Sequence, residues 1–192
     1  MQLVLASTSP YRREIVARLG TPFVAIAPQC DETPLAGESA PDTACRLARA
    51  KAQSLASQFP RALIIGSDQV ALLDQRQLGK PGTLECAREM LAQMSGRTVL
   101  FHTALALLNS HSGQLQQTME ITRVSMRTLS DQQIERYLQR EPDALHCAGA
   151  AKSEGLGGAL IARIESRDPN ALIGLPLFDL VSMLNHEGLE IL

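Results

Sequence analysis

The sequence of 192 residues lacks the features that mark several common classes of protein. Its four cysteines are widely spaced and form no C-x-x-C pair, so the usual zinc and thiol redox motifs are excluded. We interpret all four as small buried apolar side chains. The formal net charge is only -2, which provides no broad positive field for nucleic acid or an anionic membrane. Any phosphate binding must therefore be local.

Long hydrophobic runs are also missing. The first apolar run, Leu3-Val4-Leu5-Ala6, has no basic segment before it and is too short for a signal peptide or a membrane span. Together with cysteines that suit a reducing environment, this leads us to expect a cytoplasmic protein. Hydrophobic residues make up 45% of the chain, enough to bury one substantial core. We therefore expect a single domain over residues 1–192.

Apolar periodicity predicts that strands and helices alternate along the chain. The predicted strands cover residues 3–6, 23–27, 62–65, 98–108, 115–126 and 159–164, and residues 70–73 are predicted to continue extended. The predicted helices cover residues 10–19, 42–59, 84–94 and 176–187, with a further helix after the capping box of Ser130 and Gln133. We predict that the two long strands form an antiparallel pair. The fold class is then a mixed α/β domain with an elongated, twisted sheet flanked by helices.

The segment Ser7-Thr8-Ser9-Pro10-Tyr11-Arg12-Arg13 joins the first strand to the first helix. Backbone N–H groups at a helix start attract anions, and the nearby hydroxyl and guanidinium groups could complete a phosphate cradle. An ordinary capped helix with solvated arginines explains the same residues. This segment alone does not decide between the two.

Charged residues at four further places are candidates for chemistry. Lys51 lies on the apolar stripe of the second helix, four residues from both Leu47 and Leu55, so it either meets an anion or extends to solvent. Asp68 is predicted to follow a strand that is apolar on both faces, where it could hold a divalent cation or take a proton from water. A carboxylate there could equally accept hydrogen bonds in a turn.

Lys80 and Glu32 are weaker candidates when taken singly. Lys80 stands between Gly79 and Pro81, in a stiff turn that could direct its charge at a phosphate, and Glu32 belongs to an acidic pair in a Pro-rich loop. Many such residues are merely solvated. The segment Gly149-Ala150-Ala151-Lys152-Ser153 ends like a P-loop, but Ala151 replaces the glycine that the motif requires before its lysine.

In their order along the chain, a series of short motifs resembles the Maf family of nucleoside triphosphate pyrophosphatases. The motifs span nearly the whole sequence: Leu5-Ala6-Ser7-Thr8-Ser9-Pro10, Asp31-Glu32-Thr33, Lys51-Ala52, Gly66-Ser67-Asp68-Gln69, Gly79-Lys80-Pro81, Cys147-Ala148-Gly149, Lys152-Ser153-Glu154-Gly155 and Gly174-Leu175-Pro176-Leu177. The resemblance implies a fold like those of Maf proteins and inosine triphosphate pyrophosphatases. It also makes a homodimer a reasonable expectation.

The resemblance implies hydrolysis of a nucleoside triphosphate at the α-phosphorus, with pyrophosphate as the leaving group and a divalent cation, Mg²⁺ above all, as cofactor. In this interpretation Asp68 is the general base, and Glu32 and Asp68 hold the metal or its waters. The residues expected to bind the triphosphate are Ser7, Arg12, Arg13, Lys51 and Lys80. Lys51 would then have the anionic partner that its position demands.

Three positions bear on the base, and within the family they resemble the subgroup that hydrolyses 7-methyl-GTP. The dTTP/UTP subgroup usually has Arg, Thr and Gln where this chain has Tyr11, Gln69 and Glu154. The 7-methyl-GTP subgroup has Trp at the first of them, from which Tyr11 departs. An aromatic face and a carboxylate both suit the positively charged ring of 7-methylguanine. The alternatives are dTTP, UTP or another base as substrate, and a nucleotide-binding regulator of septum formation and cell division.

Overall fold

Local sequence signals begin most of the helices in the computed structural model, which describes residues 1–33 and 35–192. Side chains of Ser9, Ser39, Thr83 and Ser130 each accept a hydrogen bond from a backbone N–H in the first turn of the helix that follows. The strands and helices are β1 (Gln2–Ala6), α1 (Pro10–Ala17), β2 (Phe23–Ile26), α2 (Ala40–Gln53), β3 (Ala62–Leu73), β4 (Arg76–Leu78), α3 (Leu84–Met94), β5 (Thr98–Asn109), β6 (Leu115–Met126), α4 (Asp131–Arg140), β7 (Ile161–Glu165), α5 (Pro169–Ile173) and α6 (Leu177–His186).

The seven strands form a mixed sheet in the order β2-β1-β3-β5-β6-β7, with β4 paired to β3. β1 is parallel to both β2 and β3, whereas β4 and β7 are antiparallel to their neighbours. β5 and β6 are joined by a short turn in which Asn109 N donates to Gln114 O, as the predicted hairpin requires. The mixed α/β fold class is confirmed.

The chain divides into two compact units. The first contains Met1–Gln69, Thr103–Glu120 and Asp168–Leu192, and the second contains Val70–His102 and Ile121–Arg167. β3, β5 and β6 each contribute residues to both units. The expectation of one domain over residues 1–192 stays a prediction. Within the described part of the chain, no helix has both the length and the apolar character needed to cross a membrane.

The core of the first unit forms on one face of its parallel strands. Alternate residues of β1 and β3, among them Leu5 and Ile65, pack with Ile15 of α1 and Leu180 of α6. The intervening residues of the same strands, such as Ile64, are also fully buried. A strand buried on both faces is typical of the interior of an α/β sheet.

β3 is longer than the sequence pattern predicts. The predicted strand stopped at Ile65, with extended chain expected again from Val70 to Leu73, whereas the observed strand runs without a break through Gly66-Ser67-Asp68-Gln69 to Leu73. The residues after Ile65 pair with other neighbours, including β4 at Ala71–Leu73, while the pairing with β1 ends at Ile65. The polar residues therefore lie within a strand, but still beyond the carboxyl end of its parallel region.

Other boundaries also differ from the predictions. α2 ends at Gln53 rather than near Phe59, β7 starts at Ile161 rather than Ala159, and the glycine-rich stretch before β7 contains two short 3₁₀ helices. The interpretation of the four cysteines as buried is wrong, since Cys86 is exposed and the other three are half-buried free thiols. Cys86 lies in the first turn of α3, outside that helix's apolar stripe of Ala87, Leu91 and Met94.

Candidate active site

The close approach of β3 to α2 at Gly66 places Asp68. A Cβ atom on Gly66 would lie 2.1 Å from the carbonyl oxygen of Ala48 and 2.8 Å from the backbone nitrogen of Ala52. Only glycine allows the strand and the helix backbone to approach so closely. Because side chains alternate along a strand, Asp68 points to the same side as Gly66 and so faces α2.

Lys51 of α2 meets Asp68 at this point. Its Nζ lies 2.7 Å from Asp68 Oδ1 and 2.7 Å from Glu32 Oε2. Lys51 is only 5% exposed and Asp68 8%, so this ion pair is largely removed from water. Burying an ammonium is costly unless anions compensate it, and the two carboxylates do so. Of the two possibilities for Lys51, the structure shows the buried lysine with anionic partners.

Glu32 reaches Lys51 from a loop that is fastened to α2. Asp31 Oδ1 accepts a hydrogen bond from Thr33 N, and Arg46 Nη2 donates to the Thr33 carbonyl over 3.2 Å. The same guanidinium makes a two-pronged ion pair with Glu38, at 2.7 Å from Nε and 2.8 Å from Nη2. Arg46 and Glu38 thus hold the chain next to Glu32, although the Glu32 side chain is 54% exposed.

Replacing Glu38 with Gln should lower the free energy of unfolding at neutral pH, and the loss should shrink in acid. Arg46 is the main cause that lowers the pKa of Glu38 from 4.5 to about 2. Above the higher value Glu38 is ionised in both folded and unfolded chains, so its pairing stabilises the fold fully. As the pH falls from 4.5 to about 2, Glu38 takes up its proton in the unfolded chain before it does so in the folded chain. Its contribution to the free energy of unfolding is lost over this range.

Urea unfolding of the wild type and Glu38→Gln at about pH 7 and about pH 3 measures this change. Glu89→Gln, the same acid-to-amide change at an exposed position on α3, is the matched control and should have wild-type stability at about pH 7. A difference between wild type and Glu38→Gln that stays constant across this range would contradict the assignment of Glu38 as the titrating partner of Arg46.

Ser7 and Arg12 lie at the turn between β1 and α1. Ser7 is buried, and its Oγ accepts a hydrogen bond from Ser9 N over 3.1 Å, so the hydroxyl proton can still be donated. Arg12 Nε donates to the carbonyl oxygen of Gly174 over 2.8 Å, and its two terminal nitrogens are further donors that could bind an anion. Burial lowers the pKa of Arg12, opposed by the charges of Asp68 and Glu32. These charges show that the guanidinium lies within electrostatic range of both carboxylates.

The remaining candidates of the first unit have different surroundings. Arg13 is exposed and Tyr11 is half-buried. Gln69 directs its side-chain nitrogen at Thr103 Oγ1 and at the carbonyl oxygens of Ala171 and Leu172, at 2.9 to 3.0 Å. These contacts occupy both N–H bonds of the amide, so any contact of Gln69 with a base must use its oxygen. Its role in specificity stays a prediction.

Lys80 and Glu154 belong to the second unit and are both exposed. The turn that carries Lys80 is tied to the chain before Lys152: Gly149 N donates to Gly79 O over 3.3 Å, and Gly82 N donates to Leu145 O over 3.1 Å. Glu154 Oε2 accepts from Ser153 Oγ over 3.2 Å. Both side chains are therefore available to a ligand.

The donor chemistry of Asp68 and Glu32 suits a divalent cation. Their oxygens converge on one positively charged atom, Lys51 Nζ, and carboxylate oxygens are the ligands that Mg²⁺ prefers. No group of three or more His, Cys, Asp or Glu side chains with metal-binding geometry occurs among residues 1–33 and 35–192. Two carboxylates still fit Mg²⁺, which commonly completes its shell with water and substrate phosphate.

Several supporting residues escape sequence reasoning. Arg46 and Glu38 look like ordinary helix and loop charges, and only their eight-residue spacing around a helix start hints at a contact. Ser67 Oγ donates to the carbonyl oxygens of Ala104 and Gly174, at 2.8 and 2.9 Å, and so connects β3 with the residue that Arg12 also contacts. The glycine and aspartate on either side of Ser67 predict a polar segment, but they do not predict which carbonyl oxygens its hydroxyl contacts.

The buried ammonium of Lys51, held by two carboxylates beyond the carboxyl end of the parallel strands, defines an α/β protein with a candidate ligand site at that edge of the sheet. The family model for Maf-like protein matches residues 2–187. The chain belongs to the Maf family, as the sequence motifs predicted.

Curated relatives cover the whole chain. A 7-methyl-GTP pyrophosphatase of Chromobacterium violaceum is 67% identical over 100% of this chain and 100% of its own length. A 7-methyl-GTP pyrophosphatase of Neisseria gonorrhoeae is 55% identical over 100% of this chain and 98% of its own. One from Cupriavidus pinatubonensis is 54% identical over 97% and 94%. All three names describe the same reaction and substrate.

Proposed function

We propose that this protein is a nucleoside triphosphate pyrophosphatase that hydrolyses 7-methyl-GTP to 7-methyl-GMP and pyrophosphate and so removes a modified nucleotide. The observation that carries the proposal is the buried contact of Lys51 with Asp68 and Glu32, which places a proton acceptor next to a cation that can bind phosphate. The substrate is supported by the names of relatives that are 54 to 67% identical over nearly the full chain.

In the proposed reaction a water molecule attacks the α-phosphorus. Asp68 accepts the proton of this water as the new P–O bond forms, and the bond to the β-phosphate oxygen breaks, releasing pyrophosphate. Asp68 has one oxygen on Lys51, which holds the carboxylate in place, and its other oxygen can face the water. A positioned general base of this kind contributes about 10²- to 10⁴-fold to a rate.

Positive groups around this carboxylate balance the charge of the triphosphate. Lys51 has a third N–H bond beyond the two that contact carboxylates, and Arg12 has two terminal nitrogens beyond its bond to Gly174. Ser7 can donate its hydroxyl proton to a phosphate oxygen. The family resemblance implies that Lys80 and Arg13 add further positive charge for the triphosphate.

A divalent cation, Mg²⁺ in this proposal, would be held by Asp68 and Glu32, whose oxygens already converge on a cation. When bound, it supplies charge neutralisation for the phosphate oxygens. Glu32 is the more exposed of the two carboxylates, so it can exchange its contact with Lys51 for another partner at small cost in buried surface.

The proposed base contacts rest on Tyr11 and Glu154. The ring of 7-methylguanine carries positive charge, which an aromatic face attracts. A carboxylate at position 154 can accept hydrogen bonds from both N1–H and the exocyclic amino group of guanine, whereas a pyrimidine such as uracil offers a single such donor. Glu154 is exposed, so a ligand can reach its carboxylate, one oxygen of which accepts a hydrogen bond from Ser153 Oγ.

Pyrophosphate release from 7-methyl-GTP, GTP, dTTP and UTP, each measured with Mg²⁺ and with chelator, tests the proposal. We expect turnover that depends on the metal and a kcat/KM for 7-methyl-GTP at least about tenfold above that for the pyrimidine nucleotides. A preference for dTTP or UTP would keep the reaction but overturn the base assignment. No turnover of any nucleotide would overturn the proposed reaction itself.

A further inference from the structure

The segment from Lys152 to Leu156, which carries Glu154, is fastened at both ends by a single side chain. Glu141 follows α4, and its Oε2 accepts the backbone N–H of Leu156 over 3.1 Å. Its Oε1 lies 3.3 Å from Nζ of Lys152, which also contacts Asp143 at 2.8 Å. The carboxylate thus joins the two residues that flank Glu154 at a distance of two positions on either side.

The segment from Lys152 to Leu156 packs closely against Glu141. A Cβ atom on Gly155 would lie 2.5 Å from Glu141 Oε2, and one on Gly157 would lie 2.5 Å from the carbonyl oxygen of Lys152. Glycine is therefore needed at position 157, where the segment folds around the Lys152 backbone, and a side chain at position 155 would have to displace the Glu141 carboxylate. The side chains of Glu141 and Lys152 are only 14% and 17% exposed, so their ion pair is partly shielded from water.

Tyr137 holds the backbone at the start of the same segment. The Tyr137 hydroxyl accepts the backbone N–H of Lys152 over 3.1 Å and donates to the carbonyl oxygen of Ala150 over 3.0 Å. Burial raises the pKa of Tyr137 to about 12, so the hydroxyl keeps its proton for this bond. The backbone before and after Glu154 is thus held, while the Glu154 side chain itself is exposed.

We propose that Glu141 is a positioning residue for base selection: by binding Lys152 and Leu156 it fixes the segment from which Glu154 reads the nucleotide base. The inference rests on the proposed function, in which Glu154 contacts the base. Positioning of this kind acts on the choice between substrates. Glu141 contacts Lys152 and Leu156, so we expect its loss to change the choice of base and to spare the phosphate chemistry assigned to Asp68 and Lys51.

The test compares kcat/KM for 7-methyl-GTP with that for UTP in Glu141→Gln, Glu154→Gln and the double variant. Glutamine keeps the shape of Glu141 and one acceptor oxygen but cannot bind both Lys152 and Leu156. We expect Glu141→Gln to lower the ratio by about tenfold, mainly through KM for 7-methyl-GTP. The double variant should be no less selective than Glu154→Gln alone, because Glu141 acts through Glu154.

Asp143→Asn is the matched control. It makes the same acid-to-amide change on the other partner of Lys152, but Asp143 is 58% exposed in its side chain and does not hold Leu156. It should keep the wild-type ratio. If Glu141→Gln also keeps that ratio while Glu154→Gln loses it, the positioning role is wrong and the proposed function stands.

A second measurement needs no substrate. Hydrogen exchange of the Leu156 amide should be at least about tenfold faster in Glu141→Ala and Glu141→Gln than in Asp143→Asn, since Glu141 Oε2 accepts that N–H whereas Asp143 contacts Lys152. If the wild type hydrolyses no nucleotide, the proposed function fails and this exchange rate still decides whether Glu141 holds the segment. Unchanged exchange in both variants would overturn the inference.

Discussion

Replacing Asp68 with Asn should reduce kcat for pyrophosphate release from 7-methyl-GTP by about 10²- to 10⁴-fold. Asparagine has nearly the same shape, and its side-chain oxygen can still accept the hydrogen bond that Lys51 donates over 2.7 Å. It cannot accept a proton from water at neutral pH. The expected loss therefore comes from the proton transfer and from the reduced negative charge at the proposed metal site, and not from a collapsed pocket.

Binding and stability measurements separate this effect from damage to the fold. Isothermal titration with 7-methyl-GTP should show binding by the variant within about tenfold of the wild type, because Ser7, Arg12 and Lys51 remain. Asp74→Asn is the matched control: Asp74 is an exposed residue with φ 52°, a conformation that asparagine tolerates well, and it pairs with Arg97. It should keep wild-type turnover.

Full turnover by Asp68→Asn would show that another group is the general base. A protein that acts only as a nucleotide-binding regulator is distinguished by the wild type itself, which would bind the nucleotide without releasing pyrophosphate. If the wild type turns over and only the variant fails, both the reaction class and the role of Asp68 are supported. Turnover by the wild type therefore separates a pyrophosphatase from a protein that only binds the nucleotide, and turnover by Asp68→Asn decides whether Asp68 is the general base.

Sequence periodicity predicts the regular parts of the fold well and its irregular parts poorly. Apolar runs at β1, β5 and β6 and the capped starts of α1 and α3 follow local rules, so they are found close to their predicted positions. The predicted strand ended at Ile65, too early for β3, because Gly66-Ser67-Asp68-Gln69 has the composition of a turn. Pairing with neighbouring strands keeps these residues extended, and no local signal reports that pairing.

The part of the candidate site that the sequence predicted is the pairing of a charged side chain on an apolar helix face with an anionic group. Lys51 on an apolar stripe demanded an anion, and the structure supplies Asp68 and Glu32. The hydrogen bonds that Ser67 and Arg12 make with Gly174 were not predictable, because each joins residues far apart in the chain. The Arg12 contact with Gly174 spans 162 positions, and no single-residue property of either one indicates it.

Replacing Gly66 with Ala should destabilise the protein by about 3 kcal/mol or more, which corresponds to a fall in Tm of roughly 6–12 °C for a chain of this size. The added methyl group would lie 2.1 Å from the Ala48 carbonyl oxygen and 2.8 Å from the Ala52 nitrogen. Both are backbone atoms of α2, so no side-chain rotation can relieve the overlap. The helix and β3 must move apart, and Lys51 moves with the helix.

Thermal unfolding followed by circular dichroism measures the loss, with Gly79→Ala as the matched control. A Cβ atom on Gly79 meets nothing within 4 Å, so that variant should stay within about 0.5 kcal/mol of the wild type. Because Lys51 and Asp68 lie on the two elements that separate, Gly66→Ala should also lose turnover at temperatures where it remains folded. A variant with wild-type Tm and turnover would contradict the close contact at Gly66, and with it our account of how the chain brings Lys51 to Asp68.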